Sequence, residues 1–401
     1  MANKIQTPKG FRDFLPPTLS GRKFVLEKIT SCLEKFGFEP LETPAIEFAE
    51  TLKGKYGEEE KLIFEFTDRG GREVALRFDQ TVPLARVVAT NPDLPKPFKR
   101  YQVQPVWRAE NPQKGRYREF LQVDFDTVGA SPILADAEIV AATIAATKEV
   151  GFKDFTLKIN DRETFKGMSI EEIRTIDKLQ KIGEAGVIEQ LKRTGYGTSQ
   201  AKAILKKIKN SPPTKNIEKL FEYLKEFKTE SDKYAFDPTL ARGLDYYTGL
   251  IFELEVEGYT GGSIGGGGRY DDLIGRFTGG KTPATGFSFG FDRLIEAAEE
   301  AKLLPDYKPS TRVFVTVFKE NLLKESLGLV SKLRNRGIAA EIALDPSEKL
   351  EKQLKYADNK GIPYAAVLGP EEVKTDTATL KDLSTGEQTR LKESELIKKL
   401  Q

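Results

Sequence analysis

Apolar residues recur at helical spacing in the first part of the chain and again after residue 130. Residues 19–37 are predicted to form an amphipathic helix, whose apolar positions are Leu19, Phe24, Leu26, Ile29, Leu33 and Phe36. A second helix is predicted over residues 130–151, with Ser131 as a candidate N-cap, Pro132 in the first turn and Gly151 beyond the last turn. A further helix is predicted near residues 291–303.

Alternating apolar and polar residues predict strands between these helices. Residues 62–78, LIFEFTDRGGREVALRF, alternate on both sides of Asp68–Gly71 and predict a hairpin. Residues 36–47 are predicted to be extended, because Pro40 and Pro44 exclude a helix there. Residues 107–126, WRAENPQKGRYREFLQVDFD, bring charges of both signs to a turn between two predicted strands.

The predicted elements change in character at two points in the second half of the chain. Residues 165–232 predict short helices rich in Lys and Glu, and residues 191–210 contain basic but no acidic side chains. A solvated helix face and contact with a nucleic-acid backbone both explain this segment. After the linker LLPDYKPST, the segments RVFVTVF, IAAEIAL and PYAAVLG alternate with helices predicted over 320–336 and 348–360. This pattern predicts a separate α/β domain with a mostly parallel sheet.

Composition limits the classes of protein to consider. A chain of 401 residues accommodates two or three domains, and its 39% hydrophobic and 31% charged residues are typical of a soluble globular protein. No apolar run reaches membrane-spanning length and the start has no hydrophobic signal core, so we expect a cytoplasmic protein without a membrane partner. The net charge of +2 means that a polyanion would have to bind local basic patches. Cys32, the single cysteine, excludes an internal disulfide.

The chain contains no histidine. This absence removes the commonest general base, the commonest metal ligand and the usual member of hydrolase triads. A structural zinc site is also excluded, since only one cysteine is present. Any metal should therefore be a hard ion on carboxylates, with Mg²⁺ alongside phosphates as the expected ion, and no residue is assigned as a metal ligand.

Two short motifs match known signatures without their structural context. GRFTGGKT, residues 275–282, has the spacing of a P-loop, but no apolar strand precedes it and Pro283 follows it. GFSFG, residues 286–290, has the spacing of a nucleophile elbow, but its serine has no histidine to take its proton. We interpret the first as a loop and the second as a strand of small residues lying close to a ligand or to another backbone.

The charged strands suggest a binding site. Period-two alternation places Gln122, Asp124 and Asp126 on one face of the second strand. The corresponding face of the first strand carries Arg100, Gln102, Gln104, Val106 and Arg108. Mixed charges suit a zwitterionic, phosphate-bearing ligand, with arginines for phosphate and carboxylates for amines. A surface hairpin covered with ion pairs is the alternative.

Several segments resemble those of one enzyme family. Residues 98–129 resemble motif 2 of class II aminoacyl-tRNA synthetases, in the form found in the histidyl-tRNA synthetase family. LARGLDYYTGLIFE (240–253) and GGGGRYDDLIGRF (265–277) resemble the two histidine-specific signatures of that family. ATGFSFGFDRL (284–294) is similar to motif 3, GFEPLETPAIE (37–47) to motif 1 with its Pro44, and KGFRDFLP (9–16) to the family's N-terminal stretch.

The resemblance implies a fold and a reaction. The fold is an α+β catalytic domain, with an antiparallel sheet flanked by helices, over residues 1–164 and 233–305. A helical insertion is expected over 165–232, and a C-terminal α/β anticodon-binding domain over 310–401. The implied reaction activates L-histidine with ATP to histidyl-adenylate and pyrophosphate, then transfers histidine to the 3′ end of tRNA(His). The implied assembly is a homodimer through motif 1, with Mg²⁺ accompanying ATP.

Roles at the nucleotide follow from the same resemblance. Arg108 is expected to grip the α-phosphate, and Arg242 is the family's additional catalytic arginine there. Arg293 is expected to hold the γ-phosphate end. The remaining predicted contacts with the ATP amine, phosphates and adenine ring are Glu110, Arg116 and Phe120.

Roles at the amino acid follow likewise. Asp79, Gln80 and Thr81 match the loop that takes the α-ammonium, helped by Gln122. Asp126 is expected to accept a hydrogen bond from a ring N–H of the imidazole. The other residues expected at the histidine are Tyr247, which supplies a hydroxyl, and Tyr246, Tyr270 and Arg242. A site that pairs both ring nitrogens rejects apolar amino acids, because its own polar groups would be left unpaired.

Two other functions remain open from the sequence. One is a non-catalytic, synthetase-like regulatory subunit of ATP phosphoribosyltransferase, a class that generally lacks the C-terminal domain and the charged catalytic positions. The other is a tRNA-binding module without activity. Neither would require Arg108, Arg242 and Arg293 together.

Overall fold

The computed structural model describes residues 5–54, 56–242 and 246–401, with the side chains of residues 57 and 58 excepted. Contacts divide the chain into two compact units. The first comprises the described residues of Met1–Phe14 together with Arg22–Leu304, and the second comprises Leu15–Gly21 and Pro305–Gln401. Each unit has its own hydrophobic core.

The larger unit contains eleven strands among its described residues. In chain order they are β1 (Glu39–Pro40), β2 (Ile46–Phe48), β3 (Glu65–Thr67), β4 (Glu73–Leu76), β5 (Phe98–Trp107), β6 (Glu119–Val128), β7 (Phe155–Asp161), β8 (Tyr234–Phe236), β9 (Leu250–Val256), β10 (Gly265–Arg269) and β11 (Ala284–Gly290). Eight form one sheet in the order β1-β5-β6-β11-β10-β9-β7-β8. Its central pairs are antiparallel, and only the edge strands β1 and β8 pair in parallel among the strands described. The remaining three form a small antiparallel sheet in the order β2-β4-β3.

Helices cover this part of the chain between the strands. In chain order they are α1 (Pro16–Lys35), α2 (Ala49–Leu52), α3 (Thr81–Thr90), α4 (Ile133–Val150), α5 (Ile170–Asp177), α6 (Leu179–Arg193), α7 (Thr198–Lys209), α8 (Lys215–Glu226), α9 (Gly275–Thr278) and α10 (Phe291–Glu300). Short 3-10 helices occupy Gly57–Leu62 and Arg162–Phe165. The first predicted helix is confirmed as α1, which begins at Pro16 because proline is well tolerated in a first turn.

The two faces of the large sheet differ in polarity. On β6, Val123 and Phe125 belong to the main hydrophobic core, which also contains residues of α1, α4, α8 and α10. The alternate residues Gln122, Asp124 and Asp126 point to the opposite face. The predicted pairing of the charged strands is confirmed, since Arg100 lies opposite Asp126 and Gln104 lies opposite Gln122. One face therefore builds the core and the other is free to build a site.

The C-terminal unit is a five-stranded sheet with helices. Its elements are β12 (Val313–Val315), α11 (Leu323–Asn335), β13 (Ala340–Ile342), α12 (Leu350–Asn359), β14 (Tyr364–Val367), α13 (Pro370–Lys374), β15 (Thr377–Asp382), β16 (Gln388–Lys392) and α14 (Glu393–Leu400), with a 3-10 turn at Glu320–Leu322. The predicted parallel βαβαβ unit is confirmed in the order β13-β12-β14. The antiparallel hairpin of β15 and β16 adds to it and was absent from the prediction.

Several local predictions can be compared with the structure. The hairpin around Asp68–Gly71 is confirmed as β3 and β4. The N-cap prediction for α4 was wrong: the cap residue is Pro132, without a side-chain hydrogen bond, whereas Gly151 ends the helix at a φ of 117°. The P-loop-like segment forms the single turn α9 followed by a loop, which agrees with its interpretation as a loop. No helix in the described part of the chain has the length and apolar character that crossing a membrane requires.

Candidate active site

A cavity of about 390 Å³ opens on the polar face of the large sheet. Its size falls within the range of small-molecule sites. Strands β6, β10 and β11 form its floor, and the turn after β5 and the start of α3 border it. Thirteen of the fourteen predicted site residues line it: Asp79, Thr81, Arg108, Glu110, Arg116, Phe120, Gln122, Asp126, Arg242, Tyr246, Tyr247, Tyr270 and Arg293.

Gln80 is the exception. Its side chain is fully buried and does not line the cavity, contrary to the expectation from the resemblance. Its Nε2 donates to the carbonyl oxygens of Gln104, at 2.7 Å, and Gln122, at 3.3 Å. Gln80 therefore joins the backbones of β5 and β6 behind the cavity wall, whereas its neighbours Asp79 and Thr81 line the cavity.

One end of the cavity, here named the carboxylate end, contains Asp79, Gln122, Asp124 and Asp126. All four side chains are at least nine-tenths buried. Asp126 pairs with the guanidinium of the fully buried Arg100 at 2.8 Å and accepts a hydrogen bond from the hydroxyl of Tyr270. Burial raises the pKa of Asp126, while Arg100 and Tyr270 act in the opposite direction.

Glycine is required beside Asp126. On the neighbouring strand, a Cβ at Gly286 would fall 1.9 Å from Oδ1 of Asp126. This close approach explains the run of small residues that the sequence shows in β11. It confirms the interpretation of GFSFG as a strand, since residues 286–290 lie within Ala284–Gly290.

Asp79 is held rigidly at the start of α3. Its Oδ1 accepts hydrogen bonds from the Tyr56 hydroxyl at 2.9 Å and from the Val82 N–H at 3.0 Å. Burial raises the pKa of Asp79, and these donors partly offset the effect. Because Oδ1 already has two partners, Asp79 has limited capacity for additional donors.

Three tyrosines close the same end of the cavity. The rings of Tyr246 and Tyr247 lie 4.8 Å apart between centroids, and those of Tyr246 and Tyr270 lie 6.1 Å apart. Burial raises the pKa of all three phenols. They are therefore neutral hydroxyls at physiological pH and can donate hydrogen bonds.

A second group of cavity residues, here named the arginine end, contains Arg116, Arg293 and Glu110, together with Arg108, whose charge also acts on Asp79. The Arg108 guanidinium lies 4.3 Å from the ring centroid of Phe78 and 5.3 Å from that of Phe120, and its Nε donates to the Phe78 carbonyl. Arg116 is half exposed and lies 3.4 Å from Glu110. These side chains are placed where a hydrated anion could meet them.

Arg293 projects from α10 and fixes two loops around the arginine end. Its Nε donates to the Gly115 carbonyl at 3.0 Å and its Nη1 to the Ser263 carbonyl at 3.1 Å. Burial lowers the pKa of Arg293, and the nearby positive charge of Arg116 lowers it further. Two guanidiniums that repel each other in this way favour an anion between them.

Arg242 reaches the cavity from the loop before β9. Its Nη1 donates to a carboxylate oxygen of Glu253 at 3.2 Å, and its Nε is buried without a hydrogen-bond partner. A Cβ at Gly266 would fall 1.7 Å from this Nη1, so the glycine-rich β10 gives the guanidinium its space. Residues 243–245 of the same signature lie outside the described residues.

The structure adds residues that the sequence reasoning did not assign to the site. Asp124 and Ser288 line the floor, and Asp177 reaches the wall from α5. Alternation along β6 already placed Asp124 on the face of Gln122 and Asp126, so a signal for it was present. No comparable signal existed for Asp177, because α5 is distant in sequence from the rest of the wall.

Comparisons with known proteins agree with this geometry. A family model for histidyl-tRNA synthetase matches residues 10–181 and 162–294, and an anticodon-binding domain model matches residues 312–401. The chain is 39% identical to the histidine--tRNA ligase of Cytophaga hutchinsonii over 99% of both chains. It is 40% identical to that of Korarchaeum cryptofilum over 94% of both. The crystal structure of histidyl-tRNA synthetase from Nostoc sp. PCC 7120 superimposes with a TM-score of 0.84 at 30% identity and covers 99% of both chains.

Proposed function

Because the chain belongs to the histidyl-tRNA synthetase family, we propose that its cavity performs both steps of aminoacylation. The enzyme activates L-histidine with ATP to histidyl-adenylate and pyrophosphate, and then esterifies the 3′ end of tRNA(His). The observation that carries the proposal is that a buried carboxylate end and an arginine-rich end occupy one cavity. Such a cavity matches a substrate pair with an amine at one end and polyphosphate at the other.

In the first step, the histidine carboxylate attacks the α-phosphorus of ATP. Arg108 and Arg242 are the residues assigned to the negative charge that develops on the α-phosphate oxygens. Arg242 suits this role because its Nε is buried, unpaired and on the cavity wall. Arg293 and Arg116 are assigned to the pyrophosphate that leaves, and Phe120 and Glu110 to the adenine. Charge placement of this kind needs no histidine base.

Selection of histidine takes place at the carboxylate end. The buried Asp126 accepts from one ring N–H of the imidazole, and a tyrosine hydroxyl, from Tyr247, pairs the other ring nitrogen. An apolar side chain in this place would leave Asp126 desolvated and without a ligand partner. Asp79, Thr81 and Gln122 are assigned to the α-ammonium, and Tyr246 and Tyr270 hold the surrounding wall.

Mg²⁺ is expected to accompany ATP. Among the residues that the structure describes, no group of three acidic side chains is arranged to hold a metal. The ion would therefore be held chiefly by phosphate oxygens and water, which Mg²⁺ prefers. When bound, it would neutralise charge on the departing pyrophosphate.

The proposal also covers the assembly, the domain boundaries and the cellular location of the protein. The outer face of the small sheet exposes Ile46, Phe48 and Phe66, and motif 1 runs into β2. Exposed apolar residues on the two strands that flank β4 suit an interface, which supports a homodimer. We also propose the catalytic domain at 1–164 and 233–305, the insertion at 165–232, the anticodon-binding domain at 310–401, and a cytoplasmic location. The insertion contains α5 to α8.

The experiment that tests this function is amino-acid-dependent exchange of pyrophosphate into ATP. The wild-type protein should exchange with histidine and with none of the other nineteen amino acids. Exchange with a different amino acid would contradict the assigned pocket. No exchange with any amino acid would instead favour the synthetase-like regulatory subunit or the inactive tRNA-binding module.

A further inference from the structure

The floor of the cavity contains two acceptor oxygens without partners. Gln122 Oε1 and Asp124 Oδ1 are both buried and lack a hydrogen bond within the described chain. They lie two residues apart on the same face of β6. Buried polar atoms are normally paired, so two unpaired acceptors side by side indicate a ligand that donates to both.

Ser288 determines which atoms of these side chains remain free. Its hydroxyl oxygen accepts from Gln122 Nε2 at 3.0 Å, which leaves Gln122 Oε1 to face a ligand. Ser288 is also the register partner of Asp124 across β11 and β6, and its hydroxyl acts to lower the pKa of the Asp124 carboxyl. Ser288 thus orients the Gln122 amide and lies beside Asp124.

We propose that Asp124 is a substrate-binding residue that contacts the α-ammonium of histidine together with Gln122, and that Ser288 is the residue that positions both. This inference rests on the proposed function and adds to it two residues that the family resemblance did not assign. An ammonium offers three N–H donors, whereas an imidazole offers one at each ring nitrogen. Oδ1 of Asp79 already accepts two protein hydrogen bonds, so Asp79 alone cannot pair all three N–H donors of the ammonium. Further acceptors are therefore needed.

The balance of charge around Asp124 also favours a cation. The charged and titratable groups that face it are Arg100 on β5, Asp126 on β6, Asp79 before α3 and Tyr247 before β9. Arg100, the one cation in that set, pairs with Asp126. Burial raises the pKa of Asp124 to about 7, against the lowering effects of Arg100 and Ser288. A bound ammonium would supply the positive charge that this end lacks.

The test compares the wild-type, Asp124→Asn and Ser288→Ala proteins in histidine-dependent pyrophosphate exchange at pH 8. Losing one hydrogen bond between charged groups should raise the KM for histidine about 10- to 100-fold in Asp124→Asn, with a much smaller change in kcat. Ser288→Ala should raise the KM for histidine by a smaller factor. Asp232→Asn, an exposed aspartate, is the matched control and should leave both constants unchanged.

Two inhibitors separate the ammonium from the ring. Histamine keeps the ammonium, so its inhibition constant should rise in Asp124→Asn in parallel with the KM. Imidazole-4-propionate lacks the ammonium, so its inhibition constant should stay the same. Equal weakening of both inhibitors would overturn the inference, because Asp124 would then act on the ring or on the fold.

The pH dependence of the KM for histidine distinguishes binding by Asp124 from a purely structural role, which would not change with pH in this way. The ratio of KM values between Asp124→Asn and wild type should increase as pH rises through about 7, where Asp124 ionises. In Ser288→Ala the corresponding transition should move to higher pH, because the carboxylate loses a donor. A ratio independent of pH would contradict the inference.

Failure of this inference differs from failure of the proposed function. If the wild-type protein exchanges with histidine but both variants keep its KM, only the roles of Asp124 and Ser288 are refuted. If the wild-type protein does not exchange, the proposed function itself is refuted. Should Asp124→Asn fail to fold, Ser288→Ala and the wild-type pH profile carry the same test.

Discussion

The carboxylate end and the arginine end of the cavity both hold charged side chains, but they differ in burial and in pairing. Asp124 and Asp126 are each 3% exposed, and Oδ1 of Asp124 has no hydrogen bond. At the arginine end, the Arg116 side chain is 49% exposed and pairs with Glu110. Arg293 is satisfied by two backbone carbonyls.

This difference indicates that the carboxylate end provides selectivity for the amino acid, whereas the arginine end provides general affinity for polyphosphate. Asp126 at the carboxylate end is buried and is the proposed acceptor of an imidazole N–H, so a side chain that does not donate to it is penalised and this end can discriminate among amino acids. Hydrated arginines attract any polyphosphate and position it without a large desolvation cost. We therefore expect substitutions at the two ends to differ in size and in kind.

The largest contrast is expected for the free energy of unfolding. Arg100→Met leaves Asp126 buried without its cation, which should cost about 3–5 kcal/mol. The matched substitution at the other end, Arg116→Met, removes a half-exposed pair and should cost about 0–1 kcal/mol. Urea denaturation of both variants measures the difference. Equal losses would show that the two ends are not distinguished by burial.

A second contrast concerns the rate of adenylate formation. Arg242→Ala removes a guanidinium from the site of the developing phosphate charge and should lower kcat by about 10²–10³-fold, on the scale of oxyanion-hole losses. Arg116→Ala should act mainly on the KM for ATP. Steady-state pyrophosphate exchange resolves both parameters. A near-normal kcat in Arg242→Ala would assign that residue to structure, through its contact with Glu253.

The smallest expected effect is a pH dependence of stability confined to the carboxylate end. The native pKa of Asp124, about 7, is above its ordinary value because of burial, so the folded protein holds a proton that the unfolded chain releases. Stability should therefore fall as pH rises through about 7. Between pH 6 and pH 8 the wild type should lose about 1 kcal/mol relative to Asp124→Asn. Parallel curves for the two ligand-free proteins would contradict the assigned pKa.

The sequence by itself determined the two faces of the β5–β6 hairpin and most of the wall. Alternation separates Val123 and Phe125 from Gln122, Asp124 and Asp126 before any pairing is known, because successive strand residues point to opposite sides. The parallel part of the C-terminal sheet was predicted for a similar reason. Its apolar segments alternate with helices, which is the pattern of βαβ units.

Only the tertiary structure decided which polar groups form hydrogen bonds with one another. Ser288 meets Gln122 and Asp124 because β11 pairs with β6, although more than 160 positions separate Gln122 from Ser288. Gln80 turns behind the wall while its neighbours face the cavity, since two strand carbonyls are within reach of its amide. Local periodicity indicates the side of a strand on which a residue lies, but hydrogen-bond partners depend on which strands become neighbours when the chain folds.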